Sequence, residues 1–168
     1  MRLEETKEAS VNWEDVVIRA MGAGDERMIH AFFDAMGAES RALFNRTDYQ
    51  RKWALGYCSK PARAKRYWIA VLDGKMAGFV YFNDWDTMIP SLGIGVRDDL
   101  KGQHLGSRLM DFAIAEAKNA GKGGIRLTTH VANLRGQVLY EKKGFRCMGQ
   151  YTNAVELFYL LCFADEKA

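Results

Sequence analysis

Two spacings of apolar residues alternate along the chain. Val16, Val17 and Ile18 follow a polar start and read as a first strand. From about Asp25 to Ala35 the spacing changes, and Ile29, Phe32, Phe33 and Met36 fall on one helical face. A second helix is expected from Glu39 into the low fifties. Tyr67–Leu72 and Met76–Phe82 then flank Asp73-Gly74-Lys75, and an Asp-Gly pair between two strand-like runs predicts a hairpin. Asn83 to Pro90 reads as a loop, and Leu92 to Val96 as a short strand running into Arg97-Asp98-Asp99.

From Ser107 the helical period returns. Leu109, Phe112, Ala113, Ala117 and Ala120 share a broad apolar face, and Gly121 supplies a stop. Ile125–Val131 predicts a strand, and Leu134–Lys143 a helix capped by Asn133 and ended by Gly144. Phe145–Tyr151 and Val155–Phe163 predict two closing strands. Most strand neighbours are joined by tight turns. The expected fold is α/β (α+β), a single mixed, mostly antiparallel sheet of about seven strands with helices on both faces. Residues 1–168 read as one domain, with 1–14 a loose polar extension.

Composition narrows the function classes. Hydrophobic residues make up 48% and charged residues 27%, the balance of a soluble globular chain. A net charge of +3 suits an anionic ligand without the concentrated basic stripe of a nucleic-acid binder. The densest basic stretch, Lys60 to Arg66, reads as a solvated loop. Cys58, Cys147 and Cys162 are far apart, and His30, His104 and His130 have no ligand spacing, so neither a disulfide framework nor a metal site is indicated. Acids at Glu4 and Glu5 oppose a signal peptide, and the longest apolar run, Leu157–Ala164, is too short to span a bilayer. The expectation is a cytoplasmic chain without membrane or nucleic-acid partners, and homodimerisation stays open.

The informative unit is the strand–loop–helix from Ile94 to Ser107. A helix start has unpaired N–H groups and the positive end of a dipole, and a glycine-containing loop entering it can cradle an anion. Gly102 and Gly106 are equally compatible with a plain tight turn. The pattern is not GxGxxG and has no Gly-Lys-Ser/Thr ending, which argues against a Rossmann dinucleotide site and a P-loop.

The stretch Lys101-Gly102-Gln103-His104-Leu105-Gly106 resembles the coenzyme A-binding signature of the GNAT superfamily of N-acetyltransferases, Arg/Gln-x-x-Gly-x-Gly/Ala after a short strand. Lys101 stands at the Arg/Gln position and His104 at the first glycine. Downstream, Asn133-Leu134-Arg135-Gly136-Gln137-Val138-Leu139-Tyr140-Glu141-Lys142-Lys143-Gly144-Phe145 is similar to the family's Asn-x-x-Ala-x-x-Leu-Tyr-x-x-x-Gly-Phe, with Gly136 for the alanine. The resemblance implies acetyl transfer from acetyl-CoA to an amine, without metal. It implies that the backbone of Ile94, Gly95 and Val96 holds the pantetheine arm. Lys101, Gly102, Gln103, His104, Leu105, Gly106 and Ser107 would hold the pyrophosphate. Asn133 and Gly136 would lie near the acetyl end, and Tyr140 would protonate the leaving thiolate. Without the resemblance, Tyr140 reads as a packing residue and Asn133 as an N-cap.

A lysine-like acceptor of pKa about 10.4 is about three units above neutral pH and must lose a proton before it attacks. The strand Ser91–Val96 holds no carboxylate for that task. Asp84 and Asp86 on the preceding loop are the preferred candidates, with Glu156 and His130 as others. Phe32, Phe33, Arg41, Phe44 and the Asn83–Asp86 turn are expected to build the acceptor pocket. A sensor that binds acetyl-CoA without catalysis and a transferase of another acyl thioester are the alternatives. A sensor needs no acid at the sulfur.

Overall fold

The computed structural model describes residues 11–44 and 47–164. Its elements are β1 (Val17–Ala20), α1 (Glu26–Asp34), α2 (Ala38–Leu43), α3 (Thr47–Ser59), β2 (Arg66–Leu72), β3 (Lys75–Asn83), β4 (Ser91–Val96), α4 (Leu105–Asn119), β5 (Gly124–His130), α5 (Leu134–Lys142), β6 (Arg146–Gln150) and β7 (Glu156–Cys162). The seven strands form one sheet in the order β1-β2-β3-β4-β5-β7-β6, and only β4 and β5 run parallel. The mixed, mostly antiparallel sheet expected from the turns is the one observed.

Alternation along each strand sorts the core into two layers. Trp68, Ala70, Val80 and Phe82 pack with Leu105, Leu109, Met110, Ala113 and Ala117 of α4 and with Tyr140 of α5. Tyr67, Ile69, Phe79 and Tyr81 face the other way, onto Ile29, Phe32 and Phe33 of α1 and Ala54 and Cys58 of α3. Helices therefore cover both faces. Each fully buried Leu, Ile or Phe contributes about 1.5–3 kcal/mol, so these stripes are what hold the helices in place.

The departures from expectation are local. Val16 is buried, but the strand starts at Val17. Ordered structure begins earlier than the polar composition suggests: Trp13–Asp15 makes a 3-10 turn capped by Asn12, and the Arg108 guanidinium lies 5.3 Å from the Trp13 ring centre. The single helix expected from Glu39 is two, α2 and α3. The pattern is weak in α3 because its inward residues, Ala54 and Cys58, are small while Tyr49 is exposed. Residues 1–10 of the expected extension lie outside the described ones.

The hairpin is as expected, with Asp73 and Gly74 both at positive φ (50° and 70°), which suits the twist of a two-residue turn. A subtler fit lies between β3 and β4. Gly93 and Gly95 stand opposite Tyr81 and Phe79, whose rings lie across the bare glycines. A Cβ at Gly93 would stand 2.1 Å from Tyr81 Cζ, and one at Gly95 would stand 2.6 Å from Phe79 Cε1. Gly93→Ala must therefore displace a buried ring. The expected cost is about 1–3 kcal/mol in urea denaturation, and an unchanged midpoint would show that Tyr81 does not need that space.

Candidate active site

β4 and β5 begin as neighbours and then part. Their one paired position is Ser91 with Arg126, joined by Arg126 N–H donating to Pro90 at 3.1 Å. Beyond it the strands diverge. The Arg97 N–H donates to Ala77 of β3 at 2.8 Å, so by alternation Gly95 and Gly93 direct their backbone to β3. Ile94 and Val96 direct theirs to the opening, where no strand pairs them among the described residues. A row of free backbone donors and acceptors faces this gap.

The loop after β4 ends the gap. Asp98–Leu100 forms one 3-10 turn, and the chain then passes Gly102 and His104, both left-handed, with φ of 76° and 68°. Such alternation turns successive amides inward to form an anion-binding concavity. His104 is in a conformation natural to glycine, which explains why the related signature carries glycine there. No side chain caps α4 and no acid occupies its first turn, so the N–H groups of Leu105, Gly106 and Ser107 are free of helical partners. A Cβ on Gly106 would fall 3.3 Å from Leu139 Cδ2 and 3.7 Å from Val96 Cγ2, inside the gap between β4 and α5. The gap, the free strand edge and the bare helix start fit a long ligand that has an amide-bearing arm and a phosphate end.

Lys101 is not free for phosphate. Its ammonium lies 2.8 Å from Asp98 Oδ1 and also donates to the Ser40 hydroxyl. Ser40 Oγ donates to Asp98 Oδ1 at 2.5 Å, and Gly37 N–H donates to Asp98 Oδ2 at 2.7 Å. Partial burial works to raise the Asp98 carboxyl, but the bonds from Lys101, Ser40 and Gly37 outweigh it and hold it at about 2. The result is a clasp between α2 and the loop that leads into α4.

Tyr140, on α5, is buried at 6% exposure. Its ring packs against Phe145 and Tyr159 with centroids 6.2 and 5.7 Å away. Burial pushes its phenol up to about 12, and the Thr129 hydroxyl beside it partly offsets that. Asn133 caps α5: its Oδ1 accepts from Gly136 N–H at 3.1 Å, and its Nδ2 donates to Thr129 Oγ1 at 3.0 Å. A Cβ at Gly136 would fall 2.4 Å from Asn133 Nδ2, so the glycine makes room for the cap.

The expected bases are held elsewhere. Asp84 follows Asn83, which pairs with Ser91 at the far end of β4 from the phosphate loop. Its carboxylate takes a 2.5 Å bond from Arg126, and Asp86 is exposed on the same turn. Phe32 and Phe33 are core residues, and Arg41 ties down the α1 end by donating to Met36 and Phe33 carbonyls at 2.9 and 2.5 Å. The composition gave no sign of Ser40, Gln50, Tyr67, Tyr81 or Thr129. Aromatic residues at 79 and 81 opposite glycines at 95 and 93 were the one signal available.

A model of the Acetyltransferase (GNAT) family matches residues 28–145. The chain belongs to this family. No curated protein matches it by sequence, whereas many solved structures match its fold. The GNAT-family acetyltransferase of Streptococcus pneumoniae is 21% identical, covers 86% of this chain and 96% of its own, and has a TM-score of 0.67. Salmonella typhimurium yncA, determined with its cofactor acetyl-CoA, is 19% identical, with coverages of 92% and 97% and a TM-score of 0.71. A spermidine N-acetyltransferase chimera from Vibrio cholerae is 18% identical, with coverages of 88% and 95% and a TM-score of 0.68. Family membership carries acetyl transfer with acetyl-CoA.

The Asp98 clasp makes a pH prediction. A carboxyl depressed in the folded state stabilises it fully above the unfolded pKa, near 4, and that stability is lost as pH falls through about 2. Asp98→Asn should therefore flatten the acid limb of stability between about pH 4 and 2, read by thermal melts across that range. An acid limb of unchanged slope would show that the clasp is stability-neutral.

Proposed function

We propose that this GNAT protein is an N-acetyltransferase that moves the acetyl group of acetyl-CoA to a primary amine of a small molecule or peptide. The acceptor attacks directly and Tyr140 acts as general acid. What supports the reading is the β4 edge left unpaired beyond Ser91, followed by the uncapped start of α4, together with the buried Tyr140 phenol on α5.

When bound, acetyl-CoA supplies an acetyl group already activated as a thioester. Ile94 and Val96 would hold its arm by backbone bonds, as an added strand would. Amides from Gln103 to Ser107 would hold its pyrophosphate, each charge-assisted bond contributing roughly 1.5–3 kcal/mol. Lys101 supports this indirectly, fixing the loop through Asp98 and Ser40. Asn133, through its cap and Thr129, would set the direction of α5 and so of Tyr140. A phenol with a pKa of about 12 keeps its proton at any working pH, so Tyr140 is suited to give a proton to sulfur and unsuited to take one from the amine.

Binding is tested first. A ligand at about a hundredfold its dissociation constant stabilises the fold by roughly 2.7 kcal/mol, a shift of about 5–10 °C in Tm for this size. Acetyl-CoA should give that shift and NADH none, and Gly106→Val should weaken acetyl-CoA at least about tenfold by filling the gap. No shift at millimolar acetyl-CoA would remove the proposal. Chemistry is tested next. Tyr140→Phe should keep fold and acetyl-CoA shift while kcat falls about a hundredfold, within the range for a positioned acid. An intact kcat would remove Tyr140 from its role.

A further inference from the structure

On the face of the sheet away from α4 and α5, an aromatic stack borders the same opening. The Tyr67 and Tyr81 rings lie 4.9 Å apart at 13° to one another, and Tyr57 of α3 packs on Tyr67 with centroids 4.9 Å apart. Tyr81 crosses Gly93, so its ring stands on the strand that edges the opening. Burial pushes the Tyr81 phenol up to about 12, a bond from Gln50 works against that, and the nearby Tyr140 adds to it. Tyr81 packs in the layer against α1 and α3 and Tyr140 in the layer against α4, and on the N-acetyltransferase reading the acceptor arrives on the Tyr81 side.

The lining there has a definite chemistry. Tyr67 Oη, Gln50 Oε1 and Asn83 Oδ1 are buried without a hydrogen-bond partner, and Tyr67 as a whole is 1% exposed. Buried oxygens in this state call for a group that brings N–H or O–H donors. Among the described residues no carboxylate acts on the Tyr67 or Tyr81 phenol. Among the described residues Asp25 is the one fully buried acid, and Arg19 clamps it at 2.7 Å. Asp98 belongs to its clasp and Asp84 to Arg126. Arg126, His130 and Glu156 share one face of β5 and β7, with Glu156 accepting from Asn153 at 2.8 Å. An ammonium that entered this lining would be desolvated without a counter-charge, which is unfavourable, whereas a neutral amine would supply the missing donors.

We infer that Tyr67, Tyr81 and Gln50 line the acceptor end of the site and select a weakly basic amine, the α-amine of an amino acid or peptide, over the ε-amine of lysine or a polyamine. The inference rests on the N-acetyltransferase reading. In the step it serves, the amine lone pair forms the C–N bond and the C–S pair leaves on sulfur with the Tyr140 proton. The surplus amine proton returns through solvent to the Tyr140 oxygen. At pH 7 about one α-amine in ten is neutral at a pKa near 8, against about one lysine in 2,500.

The test is turnover by the full chain with acetyl-CoA and three acceptors: an alanyl dipeptide, Nα-acetyl-lysine amide and spermidine, each from pH 6 to 9. The dipeptide should lead the lysine derivative in kcat/KM by about a hundredfold or more at pH 7, and the gap should narrow about tenfold by pH 9 as lysine deprotonates. Tyr67→Phe keeps the ring and should raise the dipeptide KM about fivefold or more, with the acetyl-CoA thermal shift unchanged. Gln50→Leu, less buried, should do the same. Equal or better use of the lysine derivative or spermidine at pH 7 overturns the inference alone, as does an unchanged dipeptide KM in both variants. Stabilisation by acetyl-CoA with no turnover of any amine overturns the N-acetyltransferase reading and the inference together.

Discussion

The rest of the structure depends on a pairing that stops. β4 and β5 share one register position and then separate, which leaves Ile94 and Val96 with backbone groups turned to a gap. In a closed sheet those groups would be satisfied and the site would not exist. What keeps the strands apart is the packing on each side. α4 packs on the β3–β4 half through Leu105 and Leu109, and Tyr140 of α5 belongs to the same core layer, against Phe145 and Tyr159. The site is therefore a property of the sheet's topology before it is a property of any side chain.

Two kinds of residue then specialise the gap. Some act by what they lack: Gly93 and Gly95 admit the Tyr81 and Phe79 rings, Gly106 leaves the helix start open, and Gly136 admits the Asn133 cap. Others act by being held. Tyr140 keeps its proton because burial disfavours the phenolate. The two groups are complementary, because a phenol can only be buried at the gap if neighbouring positions have given up volume for it.

Much of this was legible in the sequence, for reasons that can be named. The hairpin announced itself through Asp73-Gly74, and α1 and α4 through apolar faces at helical spacing. The loop from Lys101 to Gly106 and Tyr140 stood out through their resemblance to the family's two motifs, and positive φ at Gly102 and His104 is the local geometry behind the first of these. The rest was hidden because it is tertiary. Nothing near Ser40 announces Asp98, which is 58 positions away along the chain. Asp84 looked available for catalysis, and Arg126, on a strand far along the chain, is what engages it. α3 was blurred because it packs with Ala54 and Cys58, residues too small to mark a face.

The clasp at Asp98 joins two regions that lie far apart in the sequence. Gly37 precedes α2 and Ser40 lies in its first turn, while Lys101 belongs to the loop that leads into α4. One carboxylate thus serves both, and neither region can change its position without altering the bonds of the other. In thermodynamic terms it is a linkage point: a ligand that favours one geometry of the clasp shifts the affinity on the other side, and the effect is equal in both directions. On the proposed function, the order in which cofactor and acceptor bind would be a question about the stiffness of three hydrogen bonds and one ion pair.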